Sequence, residues 1–460
     1  MKHQYQLTLH IFRRDLRLQD NTALIEALAS SEEVIPCFIF DSRQVEDNAY
    51  KGDHCIQFML NSLHELDTEL KKKDSQLYFF SGIAEDVIKR LLQDDRIDAV
   101  FINRDYTPFS LQRDQHIREI CEQKKIDFHC YADALLHEPE EVYKPNKLPY
   151  TVFTPFYKKA SQLAVAAPRK NIHSNYYRGN ITSSNARVLN DMQKDSTKLA
   201  VKGGRKEALT LLKKATDFYD YQLRRDFPGL DSTTKLSAHN KFGTLSIREF
   251  YHFVANHLGK SHSLINEMYW RDFFTHIIFH YPAVLGKSFQ EKFAAIRWKN
   301  NHTYFKAWCE GLTGFPIVDA GMRELNETGY MHNRVRMIVA SFLTKDLHID
   351  WQWGEKYFAQ KLVDYDPAVN NGNWQWAAST GCDAQPYFRI FNPWLQQKKF
   401  DADCVYIKRW VPELADIEPK KIHSLYMDEQ FVPKYARPIV DHGSQSQQAK
   451  ILYKQSQELL

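Results

Sequence analysis

The stretch DYDPAVNNGNWQWAASTGCDAQPYFRIFNP, residues 364–393, is the most informative part of the chain because it concentrates carboxylates, amides and indoles. An ordinary helical core uses few of these side chains. Asp366 followed by Pro367 is typical of a helix N-cap and a first helical position, where a missing N–H costs nothing. Gly372 is typical of a helix end, and Asn373 predicts the N-cap of a second helix that begins with the next residue.

The tryptophans are distributed unevenly along the chain, and two of them lie in this stretch. Trp374 and Trp376 are two positions apart, and such residues point in nearly opposite directions on a helix, so we expect them to contact different neighbours. All nine tryptophans lie at or after residue 270. The second half therefore has either a larger helical core or a task that needs large aromatic rings.

Length and composition set limits on the class of protein. A chain of 460 residues exceeds one typical core and predicts two domains, and 43% hydrophobic residues are typical of a globular protein. The N-terminus lacks a secretory signal, and no apolar run reaches the roughly 18 residues that span a membrane. Seven cysteines without a C-x-x-C pair argue against a disulfide framework and a zinc site. We expect a cytoplasmic protein with no metal and no membrane segment; the formal charge of +4 decides little about partners.

Apolar runs alternate with helical patterns over residues 1–131, which predicts an α/β domain: a parallel sheet covered by helices on both faces. The predicted strands are 7–12, 34–40, 76–81, 98–103 and 127–132. The predicted helices between them lie at 21–30, 56–70, 84–92 and 111–123. Residues 132–199 are rich in Pro, Asn, Ser and Lys and predict a long linker. Residues 200–460 show helical patterns throughout and predict an all-helical domain.

The loop after the first predicted strand carries three arginines. No G-x-G-x-x-G stands there, so the dinucleotide fingerprint is missing, and the sequence is FRRDLRLQDN (12–21) instead. Arg13, Arg14 and Arg17 either bind an anion or form ion pairs within the protein, and the charge pattern favours the ion pairs.

Two strings in the second half place polar side chains where a ligand would use them. STTKLS (232–237) puts hydroxyls and a lysine at a predicted helix start, where backbone N–H groups also bind phosphate, although most such clusters are only helix caps. The helix predicted in HNRVRMIVASF (332–342) has two different faces. The apolar face consists of Val335, Ile338, Val339 and Phe342. The other face, which we predict to line a site, consists of Asn333, Arg336, Met337 and Ala340.

Several strings together resemble the DNA photolyase/cryptochrome family over nearly the whole chain, and most closely its class I enzymes for cyclobutane pyrimidine dimers. Besides residues 364–393, the strings lie at 12–21, 218–230, 232–237, 266–274 and 298–337. The resemblance implies an α/β antenna domain (1–131), an interdomain linker (132–199) and an all-helical FAD-binding catalytic domain (200–460).

The resemblance implies FAD as the cofactor and no metal. The implied FAD-binding residues are Tyr221, Thr233, Thr234, Lys235, Leu236, Ser237, Arg336, Asp364, Tyr365, Asp366 and Asn370. Asn370 matches the position that faces flavin N5, where asparagine is typical of the repair enzymes. Trp374, Trp351 and Trp298 match the family's tryptophan ladder, which carries an electron from the surface to the photo-excited oxidised flavin.

The resemblance also implies UV-damaged DNA as the partner of a monomeric protein. The implied DNA-binding residues are Arg225, Glu267, Trp270, Arg271, Asn333, Arg334, Met337, Trp376, Arg389 and Gln396. Glu267 and Trp270 are expected to line the lesion pocket, and Glu267 also counts among the catalytic residues. Members that act on six-four photoproducts carry histidines at the positions of Asn333 and Met337, so this pair implies action on cyclobutane dimers.

The implied reaction is light-driven electron transfer from reduced FAD to a flipped-out pyrimidine dimer. The alternatives are a cryptochrome-type photoreceptor without repair activity, a six-four photolyase and, with less support, a DASH-type protein that prefers single-stranded DNA. Asn370 favours repair, and so does an end at Leu460 without a long regulatory tail.

The antenna pigment is the least specified part of the resemblance. Folate-binding members carry an Asn-Glu pair where this chain has Phe109 and Ser110, so methenyltetrahydrofolate is not expected to bind in that mode. Methenyltetrahydrofolate in another mode, a deazaflavin, a second flavin and no antenna all stay open.

Overall fold

The computed structural model describes residues 3–46, 48–181, 183–194, 198–427 and 432–458. Its strands form one parallel sheet in the order β3-β2-β1-β4-β5. The strands are β1 (Tyr5–Phe12), β2 (Ser31–Phe40), β3 (Tyr78–Ser81), β4 (Ile97–Asn103) and β5 (Asp127–Tyr131). In the register, Leu9 of β1 lies opposite Ile35 of β2 and Val100 of β4. The predicted parallel sheet is therefore confirmed.

Helices make up most of the remaining described residues, and none of these helices is both long and apolar enough to cross a membrane. In chain order they are α1 (Thr22–Ser30), α2 (Ser42–Val45), α3 (Asp53–Lys71), α4 (Ala84–Leu91), α5 (Pro108–Lys124), α6 (Phe153–Ala160), α7 (Val188–Asp191), α8 (Arg205–Lys214), α9 (Tyr221–Arg224), α10 (Ser237–Phe242), α11 (Ile247–His257), α12 (Ser263–His280), α13 (His302–Glu310), α14 (Pro316–Thr328), α15 (Asn333–Ser341), α16 (Trp351–Lys361), α17 (Pro367–Ala378), α18 (Pro393–Phe400), α19 (Val405–Trp410), α20 (Pro419–Ile422) and α21 (His442–Glu458). A π-helical turn, Phe342–Asp346, follows α15.

Residue contacts divide the chain into two compact units. The first unit contains residues 1–197, 201–219 and 234–282, and the second contains residues 198–200, 220–233 and 283–460. Each unit consists of separate stretches that alternate along the chain. The predicted domains, by contrast, are continuous stretches with boundaries at residues 131 and 199. Those boundaries stay a prediction about the organisation of the sequence.

The arginines of the loop after β1 are paired with acidic residues of the first unit. Arg17 Nη2 lies 2.6 Å from Asp133 Oδ2, and both side chains are almost fully buried. Arg13 pairs with Asp114 at 2.5 Å, and Arg14 also forms an ion pair. Of the two interpretations of this loop, the structure supports intramolecular ion pairs.

The predicted linker is more ordered than its composition indicates. Tyr176 is 1% exposed and forms a parallel bridge with Val34 of β2. The backbone N–H of Tyr177 donates to the carbonyl of Val34, which extends this contact. Helix α6 packs against α12 within the same unit. Residues 195–197 of the linker lie outside the described residues.

Helix α17 begins where the sequence predicts. Asp366 is its N-cap, and the carboxylate accepts from the backbone N–H groups of Ala368 and Val369. Pro367 occupies the first position, where no N–H is needed.

The predicted break within α17 is wrong. The helix continues through Gly372, and Asn373 does not cap a second helix: its amide donates to the carbonyl of Val369 at 2.8 Å. A glycine in a helix interior costs only about 1 kcal/mol. Buried hydrogen bonds on both sides of the glycine, such as those from Asn371 and Gln375, offset that cost.

Candidate active site

Asn370 lies on the side of α17 that packs against α16. Its side chain is buried, and its Nδ2 donates to the backbone carbonyl of Glu355 at 3.0 Å and to the Glu355 carboxylate at 2.8 Å. Both amide hydrogens are thereby used, and the carbonyl Oδ1 accepts no hydrogen bond from the described residues. The structure thus presents an amide oxygen, with its orientation fixed by Glu355, to any donor that enters the site.

A second side of α17 is anchored to the segment that follows α12. Asn371 Nδ2 donates to the carbonyl of Val284 at 3.1 Å, and Gln375 Nε2 donates to the same carbonyl at 3.0 Å. Gln375 Oε1 in turn accepts from the backbone N–H of Phe289 at 2.9 Å. These buried amides hold the helix in one rotation about its axis, and that rotation sets where Asn370 and Trp374 point.

Trp374 packs directly on the backbone of α16. A Cβ atom at Gly354 would lie 2.1 Å from Cη2 of Trp374, so only glycine leaves room for the indole. Trp351 is three residues before Gly354 and therefore lies on the same side of α16. Trp374 and Trp351 are each 2% exposed and belong to one apolar cluster. The structure therefore brings the first two predicted ladder residues into the same core.

Trp298, the third predicted ladder residue, is half-buried at the edge of that cluster. Its neighbours in sequence are hydrogen-bonded to the segment before α16: the N–H of Lys299 donates to the carbonyl of His348, and the N–H of Asp350 donates to Asn300 Oδ1, both at 2.9 Å. The three indoles thus range from fully buried to partly exposed, as a route to the surface requires.

An ion pair links α15 to the start of the stretch 364–393. Arg336 Nη1 and Nη2 donate to the two carboxylate oxygens of Asp364 at 3.2 and 2.9 Å, and Arg336 Nε donates to the carbonyl of Met331 at 2.8 Å. Burial alone would lower the pKa of Arg336, but Asp364 more than offsets it, so the pKa is raised and the guanidinium stays charged. Tyr365 follows as a partly buried ring against the same core.

Tyr330 connects this pair to Thr233 of STTKLS. The Arg336 guanidinium lies 5.8 Å from the centre of the Tyr330 ring, and the Tyr330 hydroxyl is 3.4 Å from Thr233 Oγ1. Burial raises the pKa of Tyr330 to about 12, so its hydroxyl keeps a proton to donate. Tyr221, also in the second unit, is 8% exposed and lies 5.4 Å beneath the guanidinium of Arg225.

Residues 234–237 of STTKLS belong to the first unit. Thr234 Oγ1 accepts from the N–H of Leu236 at 3.4 Å, and Lys235 has φ +53° in the left-handed region. Ser237 is the exposed first residue of α10. These hydroxyls and the lysine of the first unit are donors suited to phosphates. In the second unit, the arginine–aspartate pair and an amide oxygen that accepts no hydrogen bond from the described residues have the chemistry that a flavin needs.

In α12 of the first unit, Trp270 and Arg271 have extensive contacts. The Trp270 indole stacks on Phe153 with ring centres 3.7 Å apart and 7° between the planes, and it stays half-exposed. Arg271 donates to the carbonyls of Ala134 at 2.6 Å and Asn240 at 3.3 Å. These bonds tie α12 to α10, a structural task for an arginine predicted to contact DNA. Glu267, one turn before, is partly exposed.

Helix α15 carries the two positions predicted to discriminate between lesions. Asn333 is exposed, and its amide lies 4.0 Å from the sulfur of Met337, which is half-exposed on the same side. His332 is buried and caps the helix, with Nδ1 accepting from the N–H of Arg334 at 3.2 Å. Burial lowers the pKa of His332 to about 4, so it is a neutral cap.

Arg334, a predicted DNA-binding residue, is already engaged by other residues of the second unit. Its guanidinium pairs with Asp226 at 2.7 Å and lies 4.4 Å from the centre of the Phe400 ring. By contrast, Arg389 is exposed, with a weak bond to Gln385 at 3.4 Å. A phosphate would have to compete with Asp226 for Arg334, but not with a carboxylate of the described residues for Arg389.

The remaining substrate-side residues differ in exposure. Trp376 is half-exposed, whereas Trp374 on the same helix is buried, and both pack in or against the same apolar cluster. The two indoles thus differ in exposure, and the expectation that they contact different neighbours stays a prediction. Gln396 is partly buried, and its side-chain oxygen is buried without a hydrogen bond. No group of three His, Cys, Asp or Glu side chains among the described residues is arranged to hold a metal ion.

Sequence patterns miss several residues that shape the site. Glu355 and Gly354 sit mid-helix in α16 and give no signal, because their importance comes from contacts with another helix. Phe153 lies in the string VFTPF, which predicts nothing by itself about stacking on Trp270.

Comparison with known proteins identifies the family. A model of the FAD binding domain of DNA photolyase matches residues 264–455, and a DNA photolyase model matches residues 8–171. A deoxyribodipyrimidine photo-lyase from Alkalihalophilus pseudofirmus is 36% identical over 97% of this chain and 98% of its own length. The chain belongs to the DNA photolyase family. It is therefore a lyase of DNA repair, and the matched domain is the family's FAD-binding domain.

Two solved photolyases share the fold over essentially the whole chain. The archaeal photolyase from Sulfolobus tokodaii has a TM-score of 0.90 and 46% identity, covering 98% of this chain and 100% of its own; it was solved with two FAD molecules, with the implication of a novel light-harvesting cofactor. The class III photolyase from Agrobacterium tumefaciens has a TM-score of 0.91 and 34% identity, covering 100% of this chain and 98% of its own. The α/β region and the helical FAD-binding region predicted from the sequence are those of photolyases.

Proposed function

We propose that this photolyase repairs cyclobutane pyrimidine dimers in DNA rather than six-four photoproducts. The observation that carries the proposal is the pair Asn333 and Met337, which α15 presents together and which includes no proton donor for acid–base chemistry. The nearest histidine, His332, is neutral and engaged as a helix cap. Opening a cyclobutane ring by electron transfer requires no protein acid, whereas six-four repair requires proton transfer.

The residues of the second unit would hold and orient the flavin. Bound FAD in its reduced, light-excited form supplies the electron that splits the dimer and takes it back afterwards. The Arg336–Asp364 pair offers a charged and hydrogen-bonding edge, and the Asn370 oxygen is oriented to accept from the flavin. The hydroxyl of Thr233 would bind a phosphate oxygen, and in the first unit Thr234, Lys235 and Ser237 offer donors of the same kind for phosphate.

The lesion would leave the duplex and enter a pocket lined by Glu267 and Trp270. Flipping costs a few kcal/mol, and less for a damaged base that pairs poorly, so the enzyme gains selectivity from the damage itself. The Trp270 indole is held in one orientation by Phe153 and is half-exposed, which suits stacking on a base. Glu267 would accept hydrogen bonds from a base edge.

Phosphate contacts would supply most of the affinity for DNA. Arg225 and Arg389 are the proposed contacts, and binding should weaken steeply with salt because each neutralised phosphate releases counterions. Arg334 and Arg271 would act mainly by holding their own elements in place, since acidic or carbonyl oxygens already occupy their guanidinium groups. We propose that the enzyme acts as a monomer in the cytoplasm.

For the antenna, we propose a flavin. The support is the similarity to the Sulfolobus tokodaii enzyme with its two FAD molecules. In this chain Phe109 lies between two guanidinium groups, with Arg43 at 4.9 Å and Arg113 at 5.7 Å from its ring centre. A chromophore extract of the purified protein tests this: a flavin content near two per chain supports it, and one flavin with a folate contradicts it.

The substrate test uses two oligonucleotides, one with a single cyclobutane dimer and one with a single six-four product. Purified, chemically reduced enzyme under blue light should restore only the first, and dark samples should restore neither. Restoration of the six-four product alone would refute the argument from Asn333 and Met337. Restoration of neither by enzyme with full flavin content would favour a cryptochrome-type photoreceptor.

The role of Glu267 has a separate test. Glu267→Ala should lower the repair yield per absorbed photon while the flavin content stays unchanged, because the carboxylate is proposed to contact the lesion and not the cofactor. Loss of FAD from this variant would place Glu267 in the cofactor site instead.

A further inference from the structure

We infer that a cavity formed mainly by α14 and α19 binds a nucleoside monophosphate, either free or at the end of a nucleic-acid strand. The cavity has a volume of about 590 Å³, within the roughly 300–1,000 Å³ typical of small-molecule sites. Its lining among the described residues belongs wholly to the second unit and consists of Lys198, Arg323, Glu327, Arg409, Trp410 and Pro412. None of these residues belongs to the proposed flavin or DNA contacts.

The two helices that form the cavity are held together by a buried hydrogen bond. Helix α14 packs against α19, and the Tyr406 hydroxyl of α19 donates to the Glu324 carboxylate of α14 at 2.6 Å. Tyr406 is buried, and burial together with this carboxylate raises its pKa, so the hydroxyl keeps the proton that it donates. The cavity walls therefore have a fixed relative position, which a binding site requires.

Arg323 of α14 presents an oriented guanidinium to the cavity. Its Nη1 donates to both carboxylate oxygens of Glu413 at 3.0 and 2.7 Å, and its Nε donates to the carbonyl of Gly311 at 3.0 Å. Its Nη2 donates to none of the described residues, and the side chain is partly exposed. The bonds to Glu413 and Gly311 thus fix the plane of the group and leave the two N–H donors of Nη2 for an anion.

Arg409 of α19 supplies the positive charge that no acidic residue matches. It is exposed, and it forms no ion pair or hydrogen bond with another side chain in the described part of the protein. The other charges of the lining are matched, because Lys198 pairs with Glu327 and Arg323 pairs with Glu413. Guanidinium groups bind phosphate oxygens in pairs. Donors from two helices suit the three terminal oxygens of a phosphate monoester better than the two oxygens of a carboxylate.

Trp410, the residue after Arg409, gives the cavity an aromatic wall. The side chain is partly exposed, but its Nε1 is buried without a hydrogen-bond partner among the described residues. Nε1 is the one polar atom of an indole, so the part of the ring that lines the cavity is carbon. A flat carbon surface beside phosphate-binding donors suits a nucleobase, which stacks on aromatic rings. This combination favours a nucleotide over inorganic phosphate.

Titration calorimetry of the FAD-loaded protein in the dark tests the inference with three probes. The bound FAD keeps the flavin site filled. Adenosine 5′-monophosphate should bind, and ribose 5-phosphate and adenosine should each bind at least about tenfold more weakly, because one lacks the base and the other lacks the phosphate. Equal affinities for ribose 5-phosphate and the nucleotide would overturn the inference, and so would no binding of the nucleotide.

Arg409→Gln and Lys408→Gln form a matched pair of variants. Each removes one positive charge from α19, but Lys408 does not line the cavity. Arg409 is exposed, so its replacement should change stability little. Arg409→Gln should weaken nucleotide binding by about tenfold or more, and Lys408→Gln should retain the original affinity. Equal losses would show general attraction between charges, and no loss in either variant would place the nucleotide elsewhere; both results contradict the inference.

An undamaged trinucleotide distinguishes the two sources of the ligand. Competition with adenosine 5′-monophosphate only when the trinucleotide carries a 5′-phosphate would show that the cavity accepts strand ends. No competition by either form would restrict the cavity to free nucleotides. Equal competition by the 5′-phosphate and 5′-hydroxyl forms would overturn the role assigned to Arg323 and Arg409.

Discussion

Helices α15 and α17 both carry unusual polar side chains, but they use them in opposite ways. On α17, Asn370, Asn371 and Gln375 donate to buried partners of the protein itself. On α15, Asn333 is exposed, and its amide makes a weak contact of 4.0 Å with the sulfur of Met337. The amide donors are therefore structural on α17, whereas the amide of Asn333 on α15 is available to a ligand.

This contrast distinguishes side chains that fix the position of a helix from side chains that recognise a ligand. Buried amides that donate to partners within the protein fix a backbone, and losing one partner leaves the other unsatisfied at a cost of about 1–3 kcal/mol. Exposed amides cost little to replace, so their value lies in what they bind. Substitutions on α17 should therefore reduce stability and those on α15 should reduce recognition.

The largest effect is expected at Gln375. Gln375→Leu removes the acceptor of the Phe289 N–H and the donor to the carbonyls of Val284 and Lys287, and the bond to Val284 is buried. We expect the free energy of unfolding to fall by about 4 kcal/mol. Urea denaturation followed by tryptophan fluorescence measures it. A change below about 1 kcal/mol would mean that water replaces these bonds and that α17 is not held as described.

We expect protonation of His332, the N-cap of α15, to lower the free energy of unfolding by nearly as much as Gln375→Leu does. His332 has a pKa near 4 in the folded protein and 6.5 when unfolded, so the unfolded state binds the extra proton first. Stability from this group is full above pH 6.5 and is lost as the pH falls towards 4, to a total of about 3 kcal/mol.

His332→Asn keeps a capping side chain without a titrating group. Its melting temperature should decrease less than that of the original protein between pH 7.5 and 4.5. Parallel curves for the two proteins would show that His332 does not titrate in this way. Other buried histidines contribute equally to both curves and cancel in the comparison.

A smaller effect is expected from the partner of Asn370. Glu355→Leu removes the carboxylate that accepts from Nδ2 and leaves only the backbone bond, so the amide loses its fixed orientation. We expect flavin affinity to weaken by about 1–2 kcal/mol and the flavin midpoint potential to shift. Glu355→Gln retains an acceptor oxygen and should stay close to the original protein in both measurements, so equal losses in the two variants would contradict the orienting role.

The smallest effect on stability is expected at Asn333. Asn333→Leu should change the free energy of unfolding by no more than about 0.5 kcal/mol, because the side chain is exposed. The same variant should bind dimer-containing DNA more weakly, while its affinity for undamaged DNA stays constant. If damaged and undamaged DNA lose affinity equally, Asn333 contacts the backbone and not the lesion.

The sequence predicts the sheet and several local features of the helices well, for physical reasons. Strands β1 and β4 are buried along nearly their whole length and are rich in apolar residues, so the sequence shows their bounds. The N-cap at Asp366 and the apolar face of α15 are likewise local patterns.

The features that the sequence does not predict depend on contacts between distant segments. Gly372 has the local signature of a helix end, yet amide anchors from the neighbouring turns carry the helix through it. Arg334, which the resemblance implies as a DNA contact, forms an ion pair with Asp226, 108 positions away along the chain. Neither outcome is encoded within a window of ten residues.

The fit of Trp374 against Gly354 has a consequence for the speed of the light reaction. An indole pressed against main chain, with its N–H facing no polar partner among the described residues, has few dipoles nearby to reorient when its charge changes. If Trp374 is the electron donor that the resemblance implies, the reorganisation energy of oxidising it should be small, and most of the photon's driving force would be retained for the transfer. One missing methyl group on a neighbouring helix would then set both the position of the ring and the ease with which it gives up an electron.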